Sequence, residues 1–442
     1  MKFFRKGGRA LKKNKRDGEI SFLGGLILGF RRIREKIKGM RLPERFISRH
    51  KRNAGYEDEN SPREAKLSFG FGLASTFSIS LLCLVLVSVL LFGGGIISYE
   101  NVYYMFKDIG YISSFSESRP EALNYSKPFG NQDFGTFKNG LAVVGDSEIK
   151  FFTSTGRTTL SQGSEFTNPR ITCSDKYALI YDQGRNSLAV YNSFICVYSE
   201  TLDYPISSAH MSSDGSFCVV TKSGSYGSVV RVYDNRFRLE SEYSKNDYVL
   251  SAEISPDGKY VAVMSLDTVD GDSLVRLNVL KRGEREVYSS ALLYGVMPYT
   301  ASFVSSDRIA VVCNEYVAVY DLKGNMKNDY GYPGVLSHLS LRKDGFAMLF
   351  DEDSLTNDNR LVIFDQNGSV RYFEHISGNV SDMELCRNFA YLIVNGEILR
   401  VDTTFGFKSR VAFKESGARI VCFENGEIMA CTDALAYYIT FD

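Results

Sequence analysis

The chain reads as an all-β protein: a β-propeller of about eight four-stranded blades, preceded by one transmembrane helix and a basic N-terminal tail. Three observations predict this. From about residue 134, short β-type runs alternate with Gly, Asn, Asp and Ser turns, and no long helical period appears. A strand–turn–strand unit recurs at intervals averaging about 41 residues, the spacing of a four-stranded blade. Ahead of the repeats, an uncharged run separates two oppositely charged pieces of a chain whose 52 basic and 52 acidic residues cancel.

Residues 1–66 carry 20 Lys/Arg and 8 Asp/Glu, a net of +12, so residues 67–442 carry −12. Residues 20–30 are apolar, but 11 residues are too few to span a bilayer. Phe30, Ile33, Ile37 and Met40 then recur at helical spacing among Arg31, Arg32, Arg34, Lys36 and Lys38, with Pro43 as the limit. Such a helix can lie on an anionic leaflet. The alternative is a solvated tail whose charge only sets topology. No aromatic stacking motif or groove-reading unit accompanies the charge, so nucleic acid is not an expected partner.

Residues 67–99 are uncharged, and their core, residues 77–97, is 21 residues long. At ~1.5 Å per residue this spans the ~30 Å hydrocarbon core of a bilayer. It begins too late for a cleaved secretory signal and reads as a signal anchor. Lys51, Arg52, Arg63 and Lys66 precede it closely; Glu100, Lys107 and Asp108 follow. The basic flank stays cytoplasmic, which puts the C-terminal domain outside a single-pass cell-membrane protein. Cysteine usage pulls the other way. Seven cysteines lie beyond the span, an odd number without a C-x-x-C pair, mostly in apolar runs where a thiol acts as a small hydrophobe. Unpaired thiols suit a reducing compartment. Charge acts directly on insertion and takes precedence; a bacterial surface without dedicated disulfide chemistry reconciles the two.

Residues 100–133 form a linker, and residues 134–442 hold the repeats. The clearest copy is residues 254–265, ISPDGKYVAVMS. The turn anchors are Gly140, Lys176, Gly215, Gly258, Arg308, Gly345, Asn388 and Gly426. Eight anchors give eight blades. The last copy, residues 419–442, has room for about three strands, so a strand near residues 123–129 completes it. If the weak first copy instead lends strands to the last blade, the count is seven. Closure in either form removes free sheet edges.

The Ser255-Pro256-Asp257-Gly258-Lys259-Tyr260 signature resembles the WD40-like repeats of TolB-type proteins and of prolyl-oligopeptidase propellers. The resemblance covers residues 134–442. The overall layout is similar to a Gram-positive, clostridial-type family of membrane-anchored propellers of unknown function. The chain has no Trp, so the Trp-Asp ending of true WD40 repeats is absent, as is the Trp docking motif of quinone-dependent dehydrogenase propellers.

No G-x-S-x-G elbow, P-loop or G-x-G-x-x-G appears, and residues 224–227 (GSYG) read as a hairpin loop. No cofactor, metal or catalytic set is expected. His210 and Glu253 both stand five residues before their anchors, which makes them neighbours on innermost strands of adjacent blades. They and His338 are the candidate channel residues. Asp267, Asp270 and Asp272 depart from calcium-loop spacing, as do Asp351, Glu352 and Asp353. Tyr191, Tyr233 and Tyr320 fall within strands and should pack between blades. These features point to a binding or scaffold module for a protein, peptide or cell-envelope polymer. An envelope hydrolase or lyase using channel residues, and a transmembrane sensor, are the alternatives.

Overall fold

The computed structural model describes Ser80 and residues 120–441 apart from 225, 270, 285 and 354. The basic tail, the rest of the apolar span and most of the linker lie outside the described residues. Among the described residues no helix is long and apolar enough to cross a membrane.

Among the described residues thirty-two strands form eight antiparallel four-stranded sheets. Seven are continuous in sequence. Blade 1 covers residues 132–163, blade 2 169–201, blade 3 206–245, blade 4 248–294, blade 5 298–331, blade 6 335–377 and blade 7 380–412. Blade 8 takes three strands from residues 419–439 and its outermost strand, Ala122–Asn124, from the start of the domain. Ala122, Leu123 and Asn124 pair with Tyr437, Ala436 and Leu435. The propeller thus has eight blades and the closing strand expected before the first repeat. It begins at Gln132, two residues earlier than the repeat pattern, because Gln132 and Asp133 already pair with Gly145 and Val144.

Burial follows position in the blade. The second strand is dry on both faces: Gly140–Gly145 and Ala178–Asp182 are buried throughout. The outermost strand alternates, as in Lys408–Ala412, because one face packs and the other meets water. Each inner strand serves two junctions through its period-two alternation. Leu141 and Val143 join the core between blades 8 and 1, whereas Ala142 and Val144 join the core between blades 1 and 2. Eight such cores close the ring. Both faces being dry explains why these strands read as continuous apolar runs. Tyr191, Tyr233 and Tyr320 are buried in three of the cores, as their strand positions predict.

The anchors lie at the hairpins joining first to second strands. Gly258 there has φ +71°, a conformation that costs a Cβ-bearing residue. Weaker copies reach the same region with other residues, such as Asn139 at +57° and Arg387 at +55°. The ring therefore has a turn face, bearing these hairpins, and a loop face, where first strands begin and second strands turn into third strands.

Candidate functional site

A cavity of about 690 Å³ opens on the turn face, lined by residues from the innermost strands of all eight blades. His210 and Glu253 both line it, and His210 Nε2 lies 3.9 Å from Glu253 Oε1. The neighbourhood inferred from repeat spacing is real. His338 occupies the innermost strand of blade 6, seven residues before its anchor, and does not line this cavity.

The innermost strand of each sheet has one unpaired edge, and its backbone groups need partners. Side chains of neighbouring blades supply them. Asp133 Oδ2 accepts the Ile171 N–H at 3.1 Å, and Thr172 Oγ1 accepts that of Met211 at 3.2 Å. Glu253 Oε2 accepts the Phe303 N–H at 2.8 Å and the Ser302 hydroxyl at 2.9 Å. Ser340 Oγ accepts the Leu385 N–H at 3.1 Å, and Asp382 Oδ2 that of Ile420 at 2.5 Å. These groups are latches between consecutive blades. One oxygen of Glu253 is committed to such a latch while the other faces His210, so the pair is chiefly architectural.

Burial raises the carboxyls of Asp133 and Asp382 above their ordinary value, and the accepted N–H groups only partly offset this. Burial raises Glu384 as well, despite its ion pair with Arg342. The Cys173 thiol, also in the cavity wall, is pushed up to about 12 by burial and then by the charge of Asp133. Such a thiol is a poor nucleophile. Across the cavity mouth, Lys343 Nζ of blade 6 donates to Ser213 Oγ of blade 3 at 2.6 Å.

Two cavity-lining cysteines give a feature that sequence reasoning missed. Cys386 and Cys422 end the innermost strands of blades 7 and 8 and form a disulfide, with Cα atoms 5.9 Å apart. Cys173, Cys196, Cys218, Cys313 and Cys431 stay free, and three of them are fully buried. The apolar context of most of the seven concealed which two would meet. Only the register of blade 7 against blade 8 could have identified them.

The acidic loops of the sequence project from the loop face. Asp267 pairs with Arg276 at 3.5 Å; Asp270 and the Asp272 side chain lie outside the described residues. Glu352, Asp358 and His375 bring one donor atom each within 4.8 Å of one another. Arg360 already pairs with Glu352 at 2.7 Å, so the cluster has its own cation. On this face blades 4 and 6 stand tall. The middle strands of blade 4 are 10 residues each, and those of blade 6 are 9 and 8. Those of blade 5, between them, are 6 each and turn over at Asn314 and Glu315. The result is a saddle over blade 5 with Tyr294, Met297, Tyr299 and Val335 exposed in and around it.

Among solved structures the protein is similar to BamB from Moraxella catarrhalis, at 13% identity and TM-score 0.47, over 72% of this chain and 99% of that one. It is similar to the dihydro-heme d1 dehydrogenase NirN in complex with DHE, at 14% identity and TM-score 0.49, over 65% of this chain and 67% of that one. It is also similar to the WD40 β-propeller domain of Doa1, at 11% identity and TM-score 0.43, over 74% of this chain and 98% of that one. No curated protein matches the sequence. The model of one protein family matches residues 123–433, from the closing strand to the last blade, and the chain belongs to that family, the family of unknown function DUF5711.

Proposed function

We propose that the protein is a membrane-anchored, extracytoplasmic propeller that serves as a binding or scaffold module for a protein, peptide or envelope polymer. The observation that carries this reading is the use of carboxylates on the innermost strands. Asp133, Glu253 and Asp382 are spent on inter-blade hydrogen bonds, while the loop face keeps large side chains exposed. A rigid ring with free loops on one face is a binding platform.

Placement of the domain outside the cell rests on the charge step across residues 67–99. The Cys386–Cys422 disulfide supports it, because such bonds persist in oxidising surroundings. It also eases the tension that cysteine usage set up. The N-terminal tail would remain cytoplasmic, with its basic helix near anionic lipid. Cys196 is free and exposed. A membrane-impermeant maleimide should therefore label Cys196 in intact cells; labelling only after lysis would invert the topology.

Binding is tested with the full-length chain in cells, carrying a photo-crosslinking residue at Tyr294 on the loop face or at Asp175 on the turn face. A partner captured from position 294 is the expected outcome. Capture of nothing from either position, with turnover of a small molecule that His210→Ala abolishes, would replace the binding module by an enzyme. The 3.9 Å approach of His210 to Glu253 inside an open cavity is what favours that second reading.

A further inference from the structure

The saddle over blade 5 has a definite chemistry. Its floor is the segment from Tyr294 to Tyr299, which leads into the innermost strand of blade 5. That segment is fixed from both sides. The Met297 N–H donates to Asn314 Oδ1 at 2.9 Å, and Ser273 Oγ of blade 4 donates to the Val296 carbonyl at 3.0 Å. The floor is thus preformed. Tyr294 is 65% exposed, Tyr299 58% and Val335, on the blade 6 side, 74%. Large side chains this exposed offer contact area at low entropic cost.

The surrounding charge is one-sided. The cations nearby are already matched: Arg276 lies 3.4 Å from Asp247 and 3.5 Å from Asp267, and Arg360 is 2.7 Å from Glu352. Glu315 on the blade 5 hairpin, Asp353 on the blade 6 wall and Asp329 on the blade 5 flank have no ion pair among the described residues. Unmatched carboxylates around an apolar floor repel phosphate-bearing polymers and attract Lys and Arg.

We infer that this saddle docks a cationic polypeptide segment, apolar residues lying on Met297 and Tyr299 and basic ones reaching Glu315 and Asp353. This deepens the binding-module reading and rests on it: of the three ligand classes left open there, it selects protein or peptide and gives its charge. The long hairpins of blades 4 and 6 then act as walls that set the direction of the bound segment.

The test is fluorescence anisotropy with full-length protein in uncharged detergent and three labelled probes. These are an alternating lysine–leucine peptide, its glutamate–leucine counterpart, and poly(glycerol phosphate). The lysine peptide should bind, and added salt should weaken it. Two double variants, Met297→Ser with Tyr299→Ser and Glu315→Gln with Asp353→Asn, should each weaken it about tenfold or more. All four positions are surface sites, and an unchanged melting curve confirms that each variant is folded. Equal binding of the glutamate peptide, binding of the phosphate polymer at this place, or indifference to both double variants would overturn the inference. So would self-association of the chain that Tyr299→Ser abolishes, because the occupant would then be a second copy. The two layers fail separately. An acidic or polymeric partner crosslinked from position 294 removes the cationic class and leaves the binding module standing; no partner at all removes the module.

Discussion

The closing side of the ring is built from short strands. Blade 8 has strands of 4, 4, 5 and 3 residues, the last of them borrowed from the start of the domain. Blade 4, across the ring, has strands of 7, 10, 10 and 8. Short strands bury little and make few ladder bonds, so the closing side is reinforced by other means. A disulfide joins blades 7 and 8, Asp382 latches the same junction, and Arg419 lies 3.7 Å from Asp133 between blades 8 and 1. Tyr125 fastens the borrowed strand by donating to the Thr432 and Leu435 carbonyls at 2.7 and 2.8 Å. Blades 4 and 6 have ladder to spare and extend it beyond the ring, where it frames exposed side chains. The difference separates the residues that close the ring from those free to meet a partner.

Removing residues 120–125 should break this contrast most severely. It strips the outer strand from blade 8 and exposes the edge of Leu435–Ile439, a template for pairing with other chains. Loss of a cooperative melt, with concentration-dependent association in sedimentation, is expected; a sharp monomeric melt would show that the short blade suffices. Reduction of Cys386–Cys422, or Cys386→Ser with Cys422→Ser, should cost about 2–4 kcal/mol for a loop of sequence separation 36, read from denaturant midpoints at constant slope.

Asp382→Ala should cost about 1–3 kcal/mol by leaving the Ile420 N–H without its acceptor. Asp382→Asn keeps an accepting oxygen and removes a buried charge, so it should retain stability. Burial raises the Asp382 carboxyl above its ordinary 3.8, so the ionised form is the disfavoured one in the ring. Its contribution is full below the unfolded value and is lost as pH rises through the folded one. The melting temperature of Asp382→Asn relative to the parent should therefore climb with pH across that window; a gap that narrows instead would give the sign as wrong. At the small end, Tyr294→Ser and Val335→Ser on the projecting side should change stability by about 0.5 kcal/mol or less while altering any binding at the saddle.

Much of the fold was legible in the sequence because each blade repeats one local rule. A first strand, a tight turn and a dry second strand leave the same mark eight times, and where the turn takes positive φ, as at Gly258 or Asn139, the residue announces it without any tertiary information. The juxtaposition of His210 and Glu253 followed from the same rule, since equal offsets from equivalent turns place residues side by side. Their role did not follow, because whether a carboxylate is free or holds the Phe303 N–H depends on the packing distance between blades. The disulfide and the saddle were hidden for a related reason. Cys386 and Cys422 meet only through inter-blade register, and the saddle exists only because blade 5 is shorter than both its neighbours. Periodicity reports what the blades share; both features arise where they differ.

The borrowed strand also sets an order of events during synthesis. The Tyr125 hydroxyl bonds to a carbonyl 307 positions later in the chain. The outer strand of blade 8 leaves the ribosome before any of its sheet partners, and seven blades can pair before the eighth has three strands to receive it. A chain that stops early cannot close its ring. The finished circle is thus a check on length, and a prematurely ended product keeps an unpaired edge by which quality control can recognise it.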